Sequence, residues 1–147
     1  MESPVVEGLV TNIARAQVTL AVVGIVVGVL ALARSKGGFA SHRGTDIGYG
    51  ALELHLMSYN RLGGLFTLAL SIVALLGPLG RRPALVVVAA IGFAAFAVQV
   101  IIGFRSLDGG NFTGGNGATL SFCLMMAIGF GVLAWAERVT TGGIRRG

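Results

Sequence analysis

A chain of 147 residues that is 54% hydrophobic, with a mean hydropathy of +0.85, is too apolar for a soluble domain of its size. Its net charge of +5, from 11 Lys+Arg against 6 Asp+Glu, would raise nucleic-acid binding in a soluble protein. Here the bases stand at the ends of apolar stretches, where they meet lipid headgroups, and nucleic acid is excluded as a partner.

Four apolar stretches, with cores at 18–33, 62–79, 84–104 and 118–136, hold almost no ionisable side chain. About 20 mainly apolar residues cross a hydrocarbon core of about 30 Å, and unpaired backbone groups are not tolerated in lipid, so such segments cross as helices. With flanks counted, the spans are expected at about 13–33, 62–79, 83–104 and 118–136, and the chain reads as one all-α domain over 1–147: an integral membrane antiparallel four-helix bundle.

The first span has one feature of a secretory signal, Arg15 ahead of an apolar run that ends in Ala31-Leu32-Ala33. The run is long for a signal core and Glu2 and Glu7 precede it, so a retained span is expected. Ser3-Pro4 has the form of a helix start, which extends helix over 5–17, continuous with span one or lying at the interface.

The connection 34–61 follows. Its first half is glycine-rich and irregular, whereas 51–60 contains no Gly or Pro and places Leu52, Leu56 and Tyr59 at i, i+4 and i+7. That spacing predicts a short helix over 51–60 whose apolar face docks on a partner or on the membrane interface. Span two ends at Gly77-Pro78-Leu79-Gly80, and Arg81-Arg82-Pro83 makes a turn so short that spans two and three must be antiparallel neighbours. A Gly/Asn-rich loop joins spans three and four, and a short basic tail follows Trp135. Cys123, the only cysteine, lies inside span four, so no intrachain disulfide can brace a loop.

Six bases (Arg15, Arg81, Arg82, Arg138, Arg145, Arg146) stand on the side of the termini, against five (Arg34, Lys36, Arg43, Arg61, Arg105) opposite. The Arg81-Arg82 pair lies in the tightest loop, where the positive-inside rule is most reliable, and this favours both termini inside. The preference for Arg over Lys and the Ala/Gly/Val richness point to a GC-rich bacterium, and so to its cytoplasmic (inner) membrane. The sequon Asn111-Phe112-Thr113 then has no glycosylation to report.

Lipid tails are as apolar as Leu, so helix association depends on close packing, which small residues permit. The candidate packing positions are Gly24 and Gly28 in span one, and Gly63, Thr67 and Ser71 in span two. Ala90 and Ala94 in span three and Ala127 and Gly131 in span four complete the set. Gln99 is read as the only amide deep within a span; it would bond Thr67, Ser71 or a backbone carbonyl of an adjacent helix or, as a weak cofactor-binding candidate, a quinone, a haem propionate or a neighbouring subunit. His42 and His55 share the first connection without metal-type spacing, and His55 is the other weak cofactor-binding candidate. Cys123, Met125 and Met126 form a soft-atom group that reads as packing, and no metal site or catalytic residue is expected. No Asp, Glu, Lys or His lies in a span core, which argues against proton- or cation-coupled transport, including small multidrug exporters built around a first-span glutamate.

Asn60-Arg61-Leu62-Gly63, an apolar span, a short arginine turn and a third span containing Gln99 resemble small uncharacterised four-helix actinobacterial membrane proteins. Those in turn are similar to half of a haem A synthase or cytochrome b561-like bundle. The resemblance covers spans two to four. It implies a His-Arg pair at the entry to helix two and a second His early in helix four; the matching places here read Asn60 and about Met125, so both haem-ligand histidines are missing.

The expectation is a non-catalytic accessory subunit, with no cofactor of its own, that contacts lipids and other membrane-protein subunits of a larger bacterial complex, a respiratory or other energy-transducing one. The alternatives are a degenerate b-haem or quinone-binding electron-transfer subunit, and a small transporter or channel subunit.

Overall fold

The computed structural model describes residues 4–36, 38–40, 45–46, 57–105 and 112–144. Four helices, α1 (Pro4–Arg34), α2 (Arg61–Leu79), α3 (Pro83–Arg105) and α4 (Gly117–Ile144), form an antiparallel bundle. All four are long and apolar enough to cross a membrane, and the protein is a multi-pass membrane bundle. Each helix packs on its neighbours in the chain, and α4 closes the ring against α1. One end of the bundle (the terminal end) carries the start of α1, the α2–α3 turn and the end of α4. The other (the loop end) carries the two longer connections.

Pro4 opens α1 at the first helical position, where a missing N–H costs nothing because the first amides of a helix have no carbonyl to meet. The helix is continuous, so the stretch read as helical over 5–17 is a direct extension of span one. At 1.5 Å per residue α1 is about 46 Å long and α4 about 42 Å, against about 28 Å for α2. The first and last helices therefore overhang the bundle at the terminal end.

The short turn there is built on α2's C-terminus. The Arg82 N–H donates to the Gly77 carbonyl at 2.8 Å, closing a six-residue loop around Arg81, which takes a left-handed φ of 53°. Pro78, in the last turn of α2, and Pro83, at the start of α3, stop the one helix and begin the other.

The α1–α2 seam is close. A Cβ on Gly24 would overlap Ser71 Oγ, and one on Gly28 would lie only 2.7 Å from the Leu68 amide nitrogen. A Cβ on Gly64 would meet the Ala31 Cβ at 2.9 Å. Fully buried Ala21 and Ala74 continue the same antiparallel register toward the terminal end. The α3–α4 seam is filled by bulk instead: Phe93 stacks on Phe130 at 6.1 Å and meets Phe122 edge-on at 6.4 Å, beside buried Val86, Val100 and Met126.

The structure departs from the expected helix over 51–60. Residues 51–56 lie outside those described, but Ser58–Tyr59 is extended (β2) and pairs antiparallel with Thr45–Asp46 (β1), Thr45 opposite Tyr59. Asn60 is extended as well, at φ −98° and ψ 179°. The reason is that the backbone of Ser58 is claimed from outside: its N–H donates to the Thr119 hydroxyl and its carbonyl accepts from it, at 3.2 and 2.8 Å. A helical turn would need those groups for itself.

Candidate functional site

The polar chemistry of the molecule gathers at the loop end, around Asn60. Its Oδ1 accepts from the Gly63 N–H at 2.8 Å, capping α2. Its Nδ2 donates to the Phe112 carbonyl, and its backbone N–H donates to the Thr113 carbonyl at 3.0 Å. One buried amide thus starts a helix and fastens the α3–α4 connection across the bundle. Asn116 caps α4 in the same way, accepting from the Thr119 N–H at 3.0 Å. Leu62, in the first turn of α2, donates its N–H to the Phe39 carbonyl, so the first connection also satisfies an orphan amide.

Thr113, folded under Asn60, donates its hydroxyl to Gln99 Oε1 at 2.7 Å. Gln99 stands six residues before the end of α3, about 9 Å along the axis from Arg105. This hydrogen bond to Oε1 comes from the α3–α4 connection. Beside this pair a lateral cavity of about 180 Å³ opens between α2 and α3, lined by Phe66, Leu70, Phe96, Gln99, Phe112 and Thr113. It is an aromatic recess with a polar edge.

Tyr59, which the sequence placed on an exposed docking face, is fully buried, with its ring edge-on to Phe96 at 6.3 Å. Burial pushes its phenol well above the ordinary range, the neighbouring Cys123 thiol adds to this, and Thr67 opposes it, so the group stays a neutral hydroxyl. Although the Tyr59 and Thr67 hydroxyls are neighbours, neither reaches a partner in hydrogen-bonding geometry among the described residues. Leu52, Leu56, His42 and His55 lie outside the described residues.

The packing candidates divide. Gly24, Gly28 and Ser71 meet at the α1–α2 seam, and the Ser71 hydroxyl donates to the Thr67 carbonyl at 2.7 Å. Gly63 does not share that seam: a Cβ there would strike the Thr113 carbonyl at 2.6 Å, so its smallness admits the α3–α4 connection. Ala90 is buried, but Ala94, one turn on, is exposed, because the buried face of α3 runs through Val86, Phe93, Ala97 and Val100. In α4 Ala127 packs on the core, whereas a Cβ on Gly131 would meet nothing within 4 Å. The glycine that α4 turns to α1 is Gly129, where a Cβ would lie 2.8 Å from Leu20 Cδ2. Sequence reasoning missed Asn60 and Asn116 as caps, although asparagine immediately before the first residue of a helix is a start signal. It also missed Gln17, which is 1% exposed and bonded to Glu137. Nothing in the sequence marked that pair, 120 residues apart.

The positions implied as haem ligands do not fit a haem. Asn60 has both amide atoms engaged in the loop-end brace, and Met125 is 51% exposed on the outer face of α4 while its neighbour Met126 is buried. The two do not face a common cavity. No protein-family model, no curated protein and no solved structure matches the chain.

Proposed function

We propose that the protein is a non-catalytic accessory subunit of a larger bacterial cytoplasmic-membrane complex, a respiratory or other energy-transducing one, held against it by helix packing with both termini inside. The observation that carries this reading is Gly131. A glycine within a helix costs about 1 kcal/mol against alanine, and the chain's own packing asks for no glycine there, since a Cβ would meet nothing within 4 Å. Close approach by a helix of another subunit would offset that cost, with exposed Ala94 on α3 as a second small position turned outward. The interior supports the same reading: among the described residues no Asp, Glu, Lys, Arg or His side chain is buried, and Asn60 and Thr113 serve as cap and brace.

Affinity purification from the native membrane, followed by mass spectrometry, tests it. A defined set of membrane subunits should co-purify, and Gly131→Leu should lose them while the bundle itself stays intact. Recovery of the chain alone, or unchanged partners with the variant, would sink the idea. Orientation is read separately: Ser41→Cys in a Cys123→Ser background should react with an impermeant thiol reagent in intact cells. Reaction only after the cytoplasmic side is opened would invert the topology. Ser58 cannot serve as a second reporter, since it is buried against Thr119.

A second reading, an electron-transfer subunit that binds a quinone, is favoured by the cavity beside Gln99. Organic extraction of the purified protein separates the two: stoichiometric quinone, lost on Phe96→Trp, would favour the second. A reduced-minus-oxidised α-band abolished by His55→Ala would instead establish a haem.

A further inference from the structure

At the terminal end, a groove of about 470 Å³ runs between α1 and the last turn of α2, lined by Thr11, Arg15, Val18, Thr19, Pro78 and Leu79. The α1–α2 register fixes its level. Gly24 lies against Ser71, Gly28 against Leu68 and Ala31 against Gly64, so the antiparallel run brings Arg15 level with Gly80 and Arg81. Three arginines therefore share one height at one boundary of the membrane: Arg15 in the groove, and Arg81 and Arg82 on the turn beside it. All three are exposed, and among the described residues none has an ion-pair partner. Below them the walls are apolar, with Val18 and Leu79 on the hydrocarbon side.

The groove's hydroxyls are already committed. Thr11 donates to the Glu7 carbonyl and Thr19 to the Arg15 carbonyl, each at 2.9 Å. Hydrogen-bond donation to an occupant therefore falls to the Arg15 guanidinium, whose planar fork suits a phosphate better than any neutral group would. A pocket with cationic donors at headgroup level and apolar walls beneath matches a phospholipid in its membrane orientation, and a small soluble anion would leave the apolar part unfilled.

We infer that this groove is a binding site for an anionic phospholipid, with Arg15 on the phosphate and Arg81 and Arg82 supplying the positive collar that selects net negative headgroups. The site is independent of any partner complex. A surface arginine contributes about 1 kcal/mol toward an anionic lipid, which is about five-fold in relative association.

The test uses the full chain in bilayers of mixed phosphatidylglycerol and phosphatidylcholine, with spin-labelled forms of each lipid reporting motionally restricted, protein-bound lipid. Wild type should restrict phosphatidylglycerol at least several-fold over phosphatidylcholine, and Arg15→Gln with Arg81→Gln and Arg82→Gln should bring the ratio near unity. Thr19→Trp, which fills the groove without changing charge, should lower the same ratio, while Arg138→Gln, at the same end of the bundle but not lining the groove, should lower it less than Arg15→Gln does. Equal restriction of the two lipids by wild type would overturn the proposal. So would a ratio insensitive to the triple variant or to Thr19→Trp, or displacement of the lipid by excess inorganic phosphate, which would make the site one for a free anion.

Discussion

Gln17 in α1 donates a hydrogen bond of 2.9 Å from Nε2 to Oε2 of Glu137 in α4, tying the first helix to the last where they leave the bundle. The amide is 1% exposed and the carboxylate half-buried, so the bond is partly shielded from water. Glu137→Ala leaves that amide buried without its carboxylate, which costs about 1–3 kcal/mol. The midpoint of thermal unfolding in mild detergent should fall accordingly. Replacing both partners, as Gln17→Leu with Glu137→Leu, should recover much of the loss; a double variant as unstable as Glu137→Ala would mean that the bond is not what is lost.

Gly28 and Gly131 should respond oppositely to the same change. Gly28→Ala drives a methyl into the backbone of Leu68, at 2.7 Å from its nitrogen, and neither helix can yield without opening the seam. Overpacking of this kind costs about 1–3 kcal/mol. Gly131→Ala meets open space and gains helix propensity, so the isolated chain should be stabilised by up to about 1 kcal/mol. Unfolding of the two variants in the same detergent measures the contrast.

Arg81 holds the left-handed position that closes α2, one residue after Gly80, where glycine usually stands in this motif. Arg81→Gly removes the clash between Cβ and the carbonyl that follows, and should stabilise the bundle by about 1 kcal/mol. The prediction fails if thermal stability is unchanged or lowered when Arg82 is retained.

Asn60 can be dissected by isosteres. Asn60→Asp keeps the acceptor for Gly63 and loses the donor to Phe112, whereas Asn60→Ala loses both. Loss of the cap alone is worth about 0.5–2 kcal/mol. Hydrogen exchange should show residues 112–116 opening in both variants, with the first turn of α2 opening only in Asn60→Ala.

The Tyr59 and Thr67 hydroxyls are buried without partners among the described residues. Tyr59→Phe should therefore be neutral or stabilising, by up to about 1 kcal/mol, and with Thr67→Val the two effects should not add. A loss above about 1 kcal/mol for Tyr59→Phe would show that the phenol makes a bond that matters.

Hydropathy and the turn at Arg81-Arg82-Pro83 were enough to establish four spans, their antiparallel order and a membrane solvent, because length and apolarity alone decide whether a helix is stable in lipid. Gly24 and Gly28 were legible too, since GxxxG spacing puts two small residues on one face of any helix, whatever it meets. The facing residues were not legible. Gly64 meets α1 while Gly63 meets Thr113, and Ala94 turns outward while Ala90 turns in, because rotation of each helix about its axis is settled by its neighbours and not by its own uniformly apolar sequence. The connection 34–61 shows the same limit. An apolar i, i+4, i+7 pattern predicted a helix through Tyr59, yet Ser58 and Tyr59 are extended because Thr119, 61 residues beyond Ser58, supplies the hydrogen bonds a helical turn would otherwise have made. Partners so distant in sequence meet only once the helices have packed, and no local pattern in the chain records them.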